Sequence, residues 1–250
     1  MFYRYTKYGR IPVDFDDTYS GSVFIAGGSP VLLQENLEQL NQPGINVLSL
    51  NNTAATVPTT IWLGGDKPKC YSPRILLDSR IPKFAVISRR DFMVQEKQWK
   101  TLPNTYFFGT QTDFTVQNLL NPHRDFVWWK NTFYIAIQMA YRLGFRKIYL
   151  VGCQFKIDKD NLYSYNMNLT EDQINWNKRT YNSVVEKMKQ LKPHFQEKGL
   201  EIISCTPESP LNEHFPTMLF DEAVQEVIKN IPVNYDTEKC VHSSVFKEKK

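Results

Sequence analysis

Residues 24–33 read FIAGGSPVLL, and their order already suggests a chemistry. An apolar run stops on Gly27 and Gly28, and a new apolar pattern begins after Ser29 and Pro30. Glycines lack a Cβ, so a ligand can lie against their backbone. Ser29 suits a helix N-cap, and Pro30 suits the first helical position, where no N–H is needed. A helix opening there would present free N–H groups and the positive end of its dipole, a setting that favours a phosphate. The spacing is GGSP rather than GxGxxG, so the dinucleotide fingerprint is absent and a tight turn without a ligand is the competing reading.

Further polar residues follow other apolar runs. Asn51 and Asn52 follow INVLSL, Asp66 follows TTIWLGG, and Gln154 follows KIYLVGC. Asn131 and Thr132 open a helical pattern, with Lys130 just before them. Asp66 is a candidate general base or metal ligand. Taken singly, each of these residues is also an ordinary turn former.

The elements that must position these groups alternate. Short apolar runs predict strands over 22–26, 45–50, 59–63, 84–87, 106–108, 147–151 and 200–204. Helices are predicted from Val31 to about Asn41, over 131–143, and over 219–229. Another opens at the capping box Thr170-Glu171-Asp172-Gln173 and breaks or kinks at Pro193. This alternation predicts an α/β fold: one doubly wound, mostly parallel, Rossmann-like sheet with helices on both faces and an irregular C-terminal extension. Residues 1–230 are expected to form one nucleotide-binding transferase domain, and 231–250 a tail. Within the domain, 20–155 is the core, 156–198 a lid or acceptor region, and 199–230 the closing strand and helix. In such a sheet the polar residues named above converge on one rim, outside the carboxyl ends of the strands.

Bulk properties narrow the classes. The chain has 250 residues, 42% hydrophobic, with a net charge of +4 that neither demands nor excludes nucleic acid. No run approaches the length of a membrane span, and MFYRYTKYGR is not a signal peptide, so a cytoplasmic location is expected. Cys70, Cys153, Cys205 and Cys240 form no CxxC and are expected as free buried thiols. His123-Arg124-Asp125 copies a kinase triplet without a Gly-rich loop or DFG and is set aside. Trp128-Trp129 could stack on a sugar or base, although paired aromatics are more often core.

Four stretches, FIAGGSP, VLSLNN, NTFYIAIQMAYRLGFRKIYLVGCQF and LEIISCTPESPL, resemble the small bacterial sialyltransferases that build lipooligosaccharide. They resemble equally the 6-hydroxymethylpterin diphosphokinase MptE-like family, which shares a Rossmann-like core. The resemblance covers roughly residues 23–215, with gaps. It implies that Gly27, Gly28, Ser29 and Asn51 contact a donor nucleotide, and that Asn131 and Thr132 contact its phosphate. Tyr163 or Tyr165 would stabilise the departing phosphate. Lys156 stands where the sialyltransferases have another tyrosine, and would offer a point charge instead.

Two positions depart from the sialyltransferase pattern. The region 175–182, NWNKRTYN, lacks the histidine that serves there as general base, and His194 lies too far downstream to replace it. Asp66 stands where an amide is usual; an aspartate is the MptE-like choice. Trp176 is a candidate wall of an acceptor pocket. The leading expectation is a transferase taking a nucleotide-activated donor, a nucleotide sugar, to a glycan or small-molecule acceptor. A diphosphokinase using ATP and Mg²⁺, with Asp66 as metal ligand, is one alternative. A non-catalytic nucleotide-binding protein is the other.

Overall fold

The computed structural model describes residues 1–113, 115–129, 131–157, 162–165 and 168–231. Thirteen strands are present among them. They are β1 (Phe2–Thr6), β2 (Gly9–Val13), β3 (Ser22–Ala26), β4 (Val47–Leu50), β5 (Ile61–Gly64), β6 (Lys83–Val86), β7 (Met93–Val94), β8 (Lys97–Gln98), β9 (Thr105–Phe108), β10 (Thr110–Gln111), β11 (Phe126–Val127), β12 (Lys147–Val151) and β13 (Glu201–Ser204). The helices are α1 (Pro73–Leu77), α2 (Val116–Leu119), α3 (Thr132–Arg142), α4 (Glu171–Glu197) and α5 (Phe220–Lys229).

Nine strands form the main sheet in the order β13-β12-β3-β4-β5-β6-β9-β1-β2. From β13 to β9 every neighbouring pair is parallel. The chain starts this parallel part in the middle, at β3, steps outward to β9, then returns to β12 on the other side of β3. The strand order therefore reverses between β3 and β12, the point where open α/β sheets form a crevice. The expected α/β, mostly parallel sheet with helices is what the chain forms.

Alternation of side chains separates two faces. Ile25, Leu48, Leu63 and Phe84 pack on one face with α3 and α4. Phe24, Val47 and Tyr149 pack on the other with α5, and further along that face Trp62, Ala85 and Phe107 pack with Trp99 and Ile75. Helix α3 is buried nearly all round, and its Gln138 uses both ends of its amide on the backbone of Val127 (2.8 and 3.0 Å).

Three expectations need correction. Residues 31–41 do not form an α-helix but two short 3-10 turns, Pro30–Gln34 and Leu37–Asn41. Leu32, Leu37 and Leu40 are buried, a spacing of five and then three that suits two separate turns better than one continuous 3.6-residue stripe. Pro193 does not break α4, which continues to Glu197; burial of Leu191 and Phe195 on either side holds the chain helical. Cys153 and Cys205 are free and buried as expected, but Cys70 is exposed, and Cys240 lies outside the described residues. The N-terminal segment is the hairpin β1–β2, whose β1 adds antiparallel to β9. Residues 232–250 of the expected tail and Lys130 lie outside the described residues. No described helix is long and apolar enough to cross a membrane.

Candidate functional site

The carboxyl ends of β3, β4, β5 and β12 open onto a cavity of about 190 Å³. Twelve residues singled out from sequence line it: Gly27, Gly28 and Ser29 after β3, Asn51 after β4, Asp66 after β5, Asn131 and Thr132 at the start of α3, Gln154 and Lys156 after β12, Tyr163 and Tyr165 from the next segment, and Trp176 from α4; Asn52 lines only the adjoining cavity. Convergence of the groups after β3, β4, β5 and β12 follows from parallel strands, which deliver their βα loops to the same edge.

The glycines have a different reason from the one their pattern suggested. A Cβ on Gly27 would lie 2.5 Å from the carbonyl oxygen of Gly152, and one on Gly152 would lie 2.6 Å from that of Gly27. The two loops are tied by Gly27 N–H donating to Val151 O (2.8 Å) and Ser29 N–H donating to Gly152 O (3.0 Å). Gly27 thus allows loop-to-loop contact at the switch point. Gly28 lies beneath a tyrosine: a Cβ there would be 2.9 Å from the Tyr165 ring. Ser29 does not cap a helix. Its hydroxyl donates to the Gln154 side-chain oxygen (3.0 Å), and both residues are buried. The five-residue 3-10 turn behind it supplies little helix dipole, so the phosphate argument drawn from Ser29 and Pro30 loses that support.

The loop after β4 is different. Asn51 holds a left-handed backbone at φ 54°, a conformation that asparagine tolerates better than most residues. Its backbone oxygen accepts from the Trp62 indole (2.7 Å). Its side-chain oxygen and the Thr53 hydroxyl are buried without a hydrogen-bond partner among the described residues, and both residues line the cavity. Buried polar atoms are normally paired, so these two, on residues that line the cavity, are candidates for a ligand contact.

Tyr163 and Tyr165 pack as a pair. Their rings are stacked, with centroids 5.1 Å apart and an interplanar angle of 6°. Ser164 between them donates its N–H to Gly28 O (2.8 Å), pinning the pair over the first loop. Tyr163 shares a hydrogen bond with Tyr181 (3.2 Å) and accepts one from Asn177 (3.3 Å), both on α4. Burial raises the pKa of Tyr163, Tyr165 and Tyr181, so all three stay protonated near neutrality and can donate. Sequence reasoning missed Asn177 and Tyr181; their i, i+4 spacing beside Trp176 puts them on one helix face and was the available signal. Thr53, inside an ordinary NNTAA stretch, left no such signal.

A second cavity of about 390 Å³ adjoins the first. Asn51, Asp66, Tyr163, Tyr165, Trp176 and Asn177 line both, and Asp172 and Gln173 from the first turn of α4 line the second alone. Asp66 lies at the rim, exposed along part of its surface. Loss of hydration pushes its carboxyl above the ordinary 3.8, with Arg89 pulling the other way. Its backbone N–H donates to the Tyr71 hydroxyl (2.6 Å). Among the described residues no three His, Cys, Asp or Glu side chains gather to hold a metal, so a cation at Asp66 would draw its remaining ligands from substrate oxygens. Lys156 is half exposed and sits 3.7 Å from the Glu208 carboxylate, which partly offsets its charge. Asn131 caps α3, its side-chain oxygen accepting from Phe133 N–H (2.8 Å). Of the tryptophan pair, Trp129 stacks on Tyr134 and Trp128 fills the space beside Gly65, so both pack as structure.

No protein-family model matches the chain, and no curated protein does so. Solved structures do. The MAf glycosyltransferase from Magnetospirillum magneticum AMB-1 is similar over 90% of this chain and 37% of its own, with a TM-score of 0.50 and 10% identity. This chain therefore spans just over a third of that protein. The sialyltransferase CstII from Campylobacter jejuni, solved with CMP-3FNeuAc, is similar over 78% of this chain and 85% of its own, with a TM-score of 0.47 and 15% identity. The alpha-2,3-sialyltransferase Cst-I from the same organism covers 86% and 84%, with a TM-score of 0.45 and 15% identity. At these identities the likeness is one of fold, and the diphosphokinase side of the resemblance gains nothing from it. The chain has an α/β fold of the kind found in the MAf glycosyltransferase.

Proposed function

We propose that the protein is a glycosyltransferase that moves a sugar from a nucleotide-activated donor to an acceptor hydroxyl. The observation that carries this reading is the pair of adjoining cavities whose common wall includes Asp66, Tyr163 and Tyr165. Group transfer needs two substrates to meet at groups able to move a proton and hold a leaving charge. The smaller cavity takes the donor: Asn51 and Thr53 offer unpaired oxygens to the donor's hydroxyl or amino groups, and Asn131 and Thr132 stand at a helix N-terminus. The larger cavity takes the acceptor against Trp176, with Leu169 and the first turn of α4 forming its outer side.

In the step itself the acceptor oxygen bonds to the anomeric carbon as the bond from that carbon to the donor phosphate breaks. Asp66 takes the acceptor proton. Tyr163 and Tyr165 donate to the departing phosphate, and Lys156 faces its charge. Tyr181 and Asn177 position Tyr163. Asp66 thus replaces the absent histidine, and its raised pKa brings a carboxylate closer to the range a general base requires.

The test is nucleotide release from a panel of nucleotide sugars with simple glycoside acceptors, beside an arm of ATP, Mg²⁺ and hydroxymethylpterin. Release from a sugar donor, reduced about 10²-fold or more by Asp66→Asn and by Tyr163→Phe, supports the reading. AMP formed only with the pterin replaces it with diphosphokinase chemistry. For the wild type, the rate should fall as pH drops through the raised Asp66 pKa. Stability has the opposite sense. A carboxyl whose folded pKa is raised contributes stability below its ordinary 3.8 and loses it as pH rises through the folded value. Asp66→Asn should therefore keep or slightly raise the melting temperature at neutral pH while activity falls.

A further inference from the structure

Charge is unevenly distributed over the chain. Residues 1–13 and 67–100 hold twelve Lys and Arg against three Asp and Glu, a formal +9, which leaves −5 on the rest of a chain whose total is +4. The two segments meet at one end of the sheet, where β1 pairs with β9, β2 forms the edge beyond it, and the turn Trp99–Thr101 lies against β1 and β9.

There the cations and rings form a continuous ribbon. Arg10 lies over the Tyr3 ring at 4.5 Å and stands opposite Tyr5 across the hairpin. Tyr5 is approached by Arg90 (5.9 Å) and Lys100 (6.0 Å). Backbone hydrogen bonds from Lys100 to Arg90 (3.0 Å) and from Trp99 to Phe92 (2.9 Å) carry the ribbon onward. It ends where Lys67 lies over the Phe92 ring at 5.4 Å, one residue after Asp66 at the cavity rim. Asp91 is the acid within it, paired with Lys100 (2.8 Å) and Arg90 (3.3 Å). Apolar groups stand out along the same segments: Tyr8 is 85% exposed, Met93 54% and Phe92 38%.

We propose that this ribbon docks the protein on an anionic phospholipid surface, with the cations among the headgroups and Phe92 and Met93 at the acyl boundary. Basic residues beside a few exposed apolar side chains are the combination such a surface selects. Two other partners fit less well. A second copy adding to the sheet would have to pair with β2, whose edge carries Pro12 and Arg10 and so resists strand addition. Single-stranded nucleic acid needs open aromatic faces for stacking, and the faces of Tyr3, Tyr5 and Phe92 are approached by the chain's own cations. Docking this way would set the larger cavity beside the lipid surface. The inference rests on the charge and ring geometry, not on the transferase reading.

Cosedimentation of the full chain with phosphatidylcholine vesicles, with and without about 30% phosphatidylglycerol, tests it; each cation near such a surface accounts for about a fivefold change in affinity. Binding should require the anionic lipid. The variant Arg10→Gln/Arg90→Gln/Lys100→Gln should bind about a hundredfold more weakly, and Phe92→Ser/Met93→Ser should also lose affinity, with melting curves checking that each variant folds. Lys189→Gln/Lys198→Gln/Lys229→Gln, the same charge removed elsewhere, should bind like the wild type. Absence of binding, equal binding to neutral vesicles, an equal loss in both triple variants, or tighter binding to a single-stranded oligonucleotide each overturns the proposal. Nucleotide binding measured on the same samples keeps this outcome separate from that of the proposed reaction.

Discussion

The loops after β3 and after β4 sit side by side on the same rim, yet they behave in opposite ways. The first, Gly27-Gly28-Ser29, has the look of a ligand cradle, but its groups are used internally. Gly27 makes room for Gly152, Gly28 lies under Tyr165, and the Ser29 hydroxyl is taken by Gln154. The second, beginning at Asn51, looks like a plain turn, and it is the one that keeps unmet hydrogen-bonding capacity, at Asn51 and Thr53. A glycine pattern reports that something comes close; an unpaired buried oxygen on a residue that lines a cavity marks a candidate ligand contact.

This contrast can be broken at several points. Gly27→Ala should have the largest effect: the added Cβ meets a backbone oxygen that cannot move without parting β3 from β12. A loss of about 3 kcal/mol is expected in urea unfolding. A stability equal to the wild type would show that the loops are not locked together. Next come Thr53→Val and Asn51→Asp. The first removes an unpaired buried hydroxyl and should leave stability equal or higher while weakening nucleotide binding about tenfold, measured by calorimetry. The second keeps the left-handed backbone tolerable but adds a negative charge, and should weaken binding at least as much. If both bind as the wild type does, the β4 loop is not the ligand side. Ser29→Ala should matter least, at about 1 kcal/mol of stability for the lost bond to Gln154, with nucleotide affinity little changed. A large loss of affinity there would return the ligand-contacting role to the first loop.

The sequence by itself determined the elements whose signals are local. Helix α3 starts at its Asn131 cap and stops before Gly144, β12 occupies the run KIYLV, and α4 opens on the Thr170 capping box, because caps, glycine stops and side-chain periodicity act over a few residues. It also determined that the loops after β3, β4, β5 and β12 gather at the site, since parallel strands leave their loops one edge to reach. What depended on distant partners was settled by the tertiary structure. The hairpin β1–β2 belongs to the sheet because β9, about a hundred residues away, offers it an edge. Residues 31–41 became two 3-10 turns because the space over β3 and β4 accepts Leu32, Leu37 and Leu40 in that spacing. Tyr181 reached Tyr163 because α4 lies across the rim. The fates of Gly27 and Asn51 depended on the same thing: local sequence sets what a residue can do with its backbone and side chain, and the neighbours brought by folding decide whether that capacity is used up or left for a ligand.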